Sequence, residues 1–309
     1  MSSNSLLIGI LSLTLWGCCP TTPDFNPTIT TVSQQRNIDC LPTAFPRLSP
    51  SEMKDDWGKE LHIGQIFARE FDLYRAITSF KRALALVPRN NSERLLQIQY
   101  NIVESYYHGQ KFQQAIDEFE KGDLAYASPD FPVFGQLLII LYDSYRQLGL
   151  EEKSRRIQEL INKGNEEIGE KLRLFVAITD ADFCEIQQNP ATLDFLADYE
   201  LEKKSVYKAQ MLNAVLPGAG YYYVGQTNSA VTSFLINALF TAAAYQFYNR
   251  GYIAAGVITT SLELGWYLGG INGAGIEANE YNMRLYEDKG KAFMMKQGLF
   301  PILMFETSF

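Results

Sequence analysis

The chain has 309 residues, room for two modest domains with linkers, and its 47 % hydrophobic and 20 % charged content excludes disorder throughout. A formal net charge of -8 excludes the clustered cationic surface that binds nucleic acid, so no nucleic-acid partner is expected. With two His and four Cys, none of them in C-x-x-C spacing, no metal centre and no cofactor is expected.

The N-terminus reads as an export signal. Residues 6–16 form an apolar run too short to span a bilayer, ending at Gly17 and Cys18. Leu15-Trp16-Gly17-Cys18 resembles a bacterial lipoprotein cleavage box, which implies lipidation of Cys18, with Cys19 as the next candidate. Two features depart from that pattern: no Lys or Arg precedes the run, and Trp16 is bulky where a small residue is usual. The alternatives are a signal cleaved without lipidation and an uncleaved anchor. Residues 1–19 are taken as this segment. Cys40 and Cys184 remain; after export they can form a disulfide, while Cys184, on an apolar stripe, reads equally as a small buried hydrophobe.

Residues 20–50 hold Pro20, Pro23, Pro27, Pro42, Pro46 and Pro50 among several Thr, so an extended tether is expected there. Helical periodicity then runs from Trp57 to about Asn213. In its first part Ile63, Gly64, Phe67, Ala76, Phe80, Ala83 and Pro88 fall at the spacing of a tetratricopeptide repeat, which this segment resembles. The small residues suit two helices in contact, the aromatics fill the space between turns, and Pro88 stops the second helix. Weaker copies follow, carrying Ile102, Tyr106, Ala115 and Phe119, then Leu141, Tyr145, Gly149 and Ser154, with Val103, Tyr142 and Gln158 departing from the pattern. Their starting positions, 57, 96 and 135, are 39 residues apart.

The expected fold is thus all-α: a TPR-like helical-hairpin solenoid over residues 51–200, followed by a transmembrane helical hairpin. Residues 164–213 read as a cap on the stack, with Asp180, Asp182 and Glu185 in a solvated turn rather than a calcium loop.

Residues 201–290 change character. Residues 229–249 and 252–272 are each 21 long and carry Glu263 as their one charge, which suits two membrane-spanning helices. Small residues, including Ala242, Ala243, Ala244, Ala254, Ala255, Gly256, Gly265, Gly269 and Gly270, would let the two backbones approach. Ahead of them Pro217, Gly218, Gly220, Tyr223 and Gly225 resemble the P-G-x-G-Q-x-Y-x-G signature of small bacterial domains with two membrane helices, with Tyr221 in place of Gln. A tight non-helical turn with tyrosines at the lipid headgroups is expected there. Glu263 is expected to be protonated or bonded to Thr259, Thr260, Asn237 or a Tyr of the facing helix rather than to serve an ion path. Residues 291–309 form a tail; its last eleven residues are similar to the final strand of an outer-membrane barrel, but one strand makes no barrel.

No catalytic constellation surrounds His62 or His108, so no enzymatic activity and no small-molecule substrate are expected. In tetratricopeptide stacks the first helix of each repeat lines the concave face. The resemblance therefore implies a groove formed by Gln65, Arg69, Gln97, Tyr100, Glu104, Tyr107, His108, Gln136, Asp143, Arg146 and Gln147. Amides there suit a peptide backbone and tyrosines its side chains. The family's Asn and Lys clamp for a terminal carboxylate is absent.

The expected partners are therefore a protein or peptide and membrane lipid, and the expected role is an envelope scaffold or an accessory subunit of a membrane transport or secretion complex. Export places the helical domain in the periplasm of a bacterial envelope. Lys203, Lys204, Lys208, Arg284, Lys289 and Lys291 flank the hairpin, however, and favour an inner-membrane protein with a cytoplasmic helical domain.

Overall fold

The structure, a computed structural model, describes residues 25–29 and 41–309. The signal segment with Cys18 and Cys19, and Cys40, lie outside the described residues. Among the described residues the chain is helical without a strand, and one isolated parallel bridge joins Thr43 to Ser308. Contacts divide it into two units. Residues 41–186 and 291–309 belong to a helical-hairpin unit, and residues 25–29 and 187–290 to a long-helix unit.

The helical-hairpin unit begins with α1 (Asp56–Arg69), α2 (Leu73–Leu86), α3 (Ser92–His108) and α4 (Phe112–Lys121). It continues with α5 (Phe134–Gln147), α6 (Glu151–Gly164) and α7 (Glu166–Thr179). Each packs on its neighbour in chain order. Asp72, Asn91 and Asn165 cap α2, α3 and α7, each accepting a backbone N–H with its side chain. The turn after the first helix of each pair carries a left-handed residue: Phe71 (φ 61°), Gln110 (φ 56°) and Gly149 (φ 69°), spaced 39 apart like the sequence copies. At all three the same bonds recur, Asp72 N to Phe67 O, Lys111 N to Tyr106 O and Leu150 N to Tyr145 O, which satisfy carbonyls that the helix end leaves free.

Ala181 (φ 53°) repeats this device 32 residues later, between α7 and α8 (Phe183–Gln188), so a further turn of the same kind stands where the sequence suggests only a cap. Asp182 accepts the N–H groups of Cys184 and Glu185 there, which accounts for the acidic turn. Cys184 is exposed with a free thiol, so it is not the buried hydrophobe that its stripe suggests.

The core explains the residue types. Leu61, Ala76, Phe80 and Ala83 are wholly buried, and a Cβ on Gly64 would stand 2.5 Å from the Phe80 ring, so α1 and α2 touch where the sequence is smallest. Ile98, Ile102, Val103, Ala115, Ile140 and Leu141 continue it, each large aliphatic contributing about 1.5–3 kcal/mol by leaving water. Val103 and Tyr142, at positions where the family favours small residues, are buried too. Residues 41–48, expected to be a free tether, contribute Leu41, Ala44, Phe45 and Leu48 to these clusters.

The long-helix unit contains α9 (Leu193–Glu202), α10 (Val206–Val215), α11 (Ala219–Val224), α12 (Thr227–Asn249) and residues 253–290 of α13 (Ile253–Gln297). The glycine-rich motif is not the non-helical turn expected. It is the short helix α11 between two left-handed glycines, Gly218 (φ 94°) and Gly225 (φ 95°). Asn213 Oδ1 accepts the Gly218 N–H at 2.8 Å, and a Cβ on Gly220 would meet Ala209 O at 2.2 Å, so the motif serves close packing of α11 on α10. Tyr223 OH accepts the Ser205 N–H at 3.1 Å, and Tyr222 is exposed.

Among the described residues α12 is the one helix long and apolar enough to cross a membrane, with a mean hydropathy of 1.3. The second expected span is the first part of the 45-residue α13, which runs on without a break. The two lie side by side in opposite directions: Tyr248 OH is 3.3 Å from Thr260 Oγ1, and Ser233 lies against Gly270. Gly256 sits against the Tyr248 ring, whereas a Cβ on Gly265 or Gly269 would meet open space among the described residues.

Candidate functional site

The residues expected to line a concave face sit on α1, α3 and α5, and the structure brings most of them together. They are not an open surface. Gln97, Tyr100, Glu104, Tyr107, His108, Gln136 and Asp143 are all buried, and polar groups taken from water must find partners inside. Tyr107 OH donates to Asp143 Oδ2 at 2.6 Å, Gln147 Nε2 to Asp143 Oδ1 at 3.2 Å, and Gln136 Nε2 to Glu104 Oε1 at 3.0 Å. Arg146 turns away from this network to pair with Asp180, and Gln65 stays half-buried on α1.

Two segments of the same chain cover the face. The first is residues 41–52. Arg94 Nε donates to Glu52 Oε1 at 2.8 Å, while Arg94 Nη1 donates to Pro46 O at 2.9 Å and to Gln97 Oε1 at 2.7 Å. The Phe45 ring lies 6.0 Å from Tyr100 and 5.6 Å from Phe131.

The second is the C-terminal segment, which follows a short 3-10 turn at Pro301–Met304. Gln136 grips it at one residue: its Oε1 accepts from Thr307 N and Oγ1 at 3.3 and 2.9 Å, and its Nε2 donates to Thr307 O at 3.2 Å. Arg69 donates from Nε and Nη2 to Phe309 O, both at 3.2 Å. Ser308 donates to the first segment, from N to Pro42 O and from Oγ to Leu41 O, each at 3.0 Å. Phe305 packs 5.7 Å from Tyr107, and Phe309 stacks on Phe80 at 6.5 Å. A side-chain amide that reads backbone donor and acceptor together, with aromatic pockets on either side, is chemistry for holding an extended peptide.

Burial sets the electrostatics. It pushes the Tyr107 hydroxyl well above its usual range, with the Asp143 charge adding to the shift. Burial likewise raises Asp143, against the opposing hydrogen bonds from Tyr107 and Gln147. The Arg94 hydrogen bonds hold Glu52 down at about 2. Among the described residues no cluster of His, Cys, Asp and Glu has the arrangement of a metal site.

Sequence reasoning missed Arg94, Glu52, Phe45 and the C-terminal residues. Arg94 lies three residues from Gln97 on one helical face, and Phe305, Thr307 and Phe309 alternate as on a strand, so each left a faint signal.

A second candidate lies on the long-helix unit, where a cleft of about 750 Å³ opens between α12 and α13, lined by Ser229, Ser233, Asn237, Ser261, Gly265 and Gly269. Asn237 Oδ1 and, on the same pair of helices, Glu263 Oε2 are buried without a partner. No family model matches the chain, and neither a curated protein nor a solved structure matches it.

Proposed function

We propose that this chain is a membrane-anchored, TPR-like scaffold that holds a protein partner as an extended peptide in the groove of α1, α3 and α5, within bacterial envelope assembly or organisation. The observation that carries the reading is the grip of Gln136 and Arg69 on the backbone of residues 307–309, since backbone contacts of this kind take any extended segment of suitable side chains. Anchoring is supported by the length and apolarity of α12 and by Leu235, Leu239, Ile258 and Leu262, exposed large hydrophobics on α12 and α13. Lipidation of Cys18 would add a second anchor. The role is binding rather than catalysis.

A photo-crosslinking residue at Gln65 or Gln147, at the rim of the groove, tests this in cells. The expected product is a crosslinked partner lost when a peptide of residues 299–309 is added in excess to permeabilised cells, and absent when the probe sits at Tyr74. A product at Tyr74 equal to that at Gln65 and Gln147 would remove the groove assignment.

The second reading, an accessory subunit of a membrane transport or secretion complex, is favoured by the unpartnered Asn237 and Glu263 oxygens between α12 and α13. Glu263→Gln should then impair flux through that complex while leaving crosslinking at Gln65 unchanged.

A further inference from the structure

The C-terminal segment fits the groove, but it does not satisfy it. Phe305 and Phe309 are buried and the Thr307 hydroxyl donates to Gln136, whereas Glu306 is exposed. The Phe305 and Phe309 rings lie 5.8 and 5.7 Å from His108. Beneath them Glu104 Oε2 and both nitrogens of His108 have no hydrogen-bond partner, although these residues are only 1 and 5 % exposed. His108 Nε2 stands 3.9 Å from Glu104 Oε1, too far for a hydrogen bond. A buried polar group without a partner is costly, and a tail that offers two rings and a short hydroxyl leaves several.

Position 307 is where this mismatch can be mended. Gln136 touches both Thr307 and Glu104, so an inward side chain longer than Thr, starting at 307, meets the Glu104 carboxylate. The donor that a buried carboxylate oxygen binds most strongly is a cation. We propose that the groove's cognate ligand is an extended segment of another polypeptide with the pattern aromatic–x–basic–x–aromatic, for which residues 305–309 are a weaker stand-in held by their own chain. Such a ligand displaces the tail because it keeps every backbone contact and adds the ion pair that the tail lacks. This rests on the reading of the groove as a peptide site.

The test uses the full chain in detergent micelles carrying Phe309→Ala, which loosens the resident segment. Three fluorescein-labelled peptides of residues 299–309 are titrated by anisotropy: the native sequence, its Thr307→Lys form, and its Phe305→Ala/Phe309→Ala form. The Thr307→Lys peptide should bind at least ten-fold tighter than the native one, and the double-alanine peptide at least ten-fold weaker. Adding Glu104→Gln to the chain should bring the lysine and threonine peptides to equal affinity. Equal affinity without that change overturns the proposed ligand chemistry while leaving the peptide groove standing. Failure of all three to bind a chain of unchanged helical content overturns both. If Phe309→Ala lowers helical content, the wild-type chain serves instead: its tail weakens all the peptides alike, so the ratio of affinities still decides.

Discussion

The two units invert each other's relation to solvent. In the helical-hairpin unit, Gln97, Tyr100, Glu104 and Asp143 are buried, and the chain covers them with its own segments. In the long-helix unit, Leu235, Leu239, Ile258 and Leu262 are exposed, and none of the described residues covers them. Burying polar groups is tolerable only when hydrogen bonds replace water, and exposing so much apolar surface only when something other than water meets it. Burial therefore separates a unit whose polar face is covered from within from one whose apolar helices lie exposed.

That contrast can be broken from either side. The largest effect is expected at Phe80, which is wholly buried and stacked on Phe309: Phe80→Ala should cost about 3–5 kcal/mol in denaturant unfolding of the helical-hairpin unit and release the C-terminal segment to hydrogen exchange. At Leu239, 69 % exposed on α12, Leu239→Arg should cost about 2.5–3.5 kcal/mol of bilayer insertion and raise alkaline extraction from membranes, with unfolding of the other unit unchanged. If extraction does not change, α12 is not in lipid. Tyr107→Phe keeps the ring and removes the donor from a buried carboxylate, so a loss of about 1–3 kcal/mol is expected in urea melts.

The smallest effect is one of pH. Glu52 titrates at about 2 in the folded chain against an ordinary 4.5, so its pair with Arg94 stabilises fully above 4.5 and fades as pH falls toward 2. Asp143, raised above 3.8, acts with the opposite sign: its contribution is present below 3.8 and is lost as pH rises through its folded value. Glu52→Gln should flatten the acid limb of stability against pH, and Asp143→Asn should remove the decline on its upper side.

Local features were legible in the sequence. Gly64, Ala76 and Phe80 marked a helix contact because side-chain size at helical spacing is a local signal, and the 39-residue interval reappears in the left-handed turns at Phe71, Gln110 and Gly149. Gln136 and Arg69 were named from the sequence, but the C-terminal segment that they hold was not foreseen. Arg69 and Phe309 are 240 residues apart, and no periodicity encodes a contact of that separation. The glycines of the motif around Pro217 were recognised as a turn device, but a six-residue helix between two left-handed ends has no pattern of its own, so α11 was missed.

The discontinuity of the helical-hairpin unit has a consequence during biosynthesis. Residues 187–290, which include α12, leave the ribosome after α7 and before the segment that Gln136 and Arg69 hold. At translation speeds of roughly 5–20 residues per second, that interval lasts roughly 5–20 s, in which α12 can reach a membrane while the groove is still unfilled. The long apolar helix α12 is thus made before residues 305–309 are there to fill the groove.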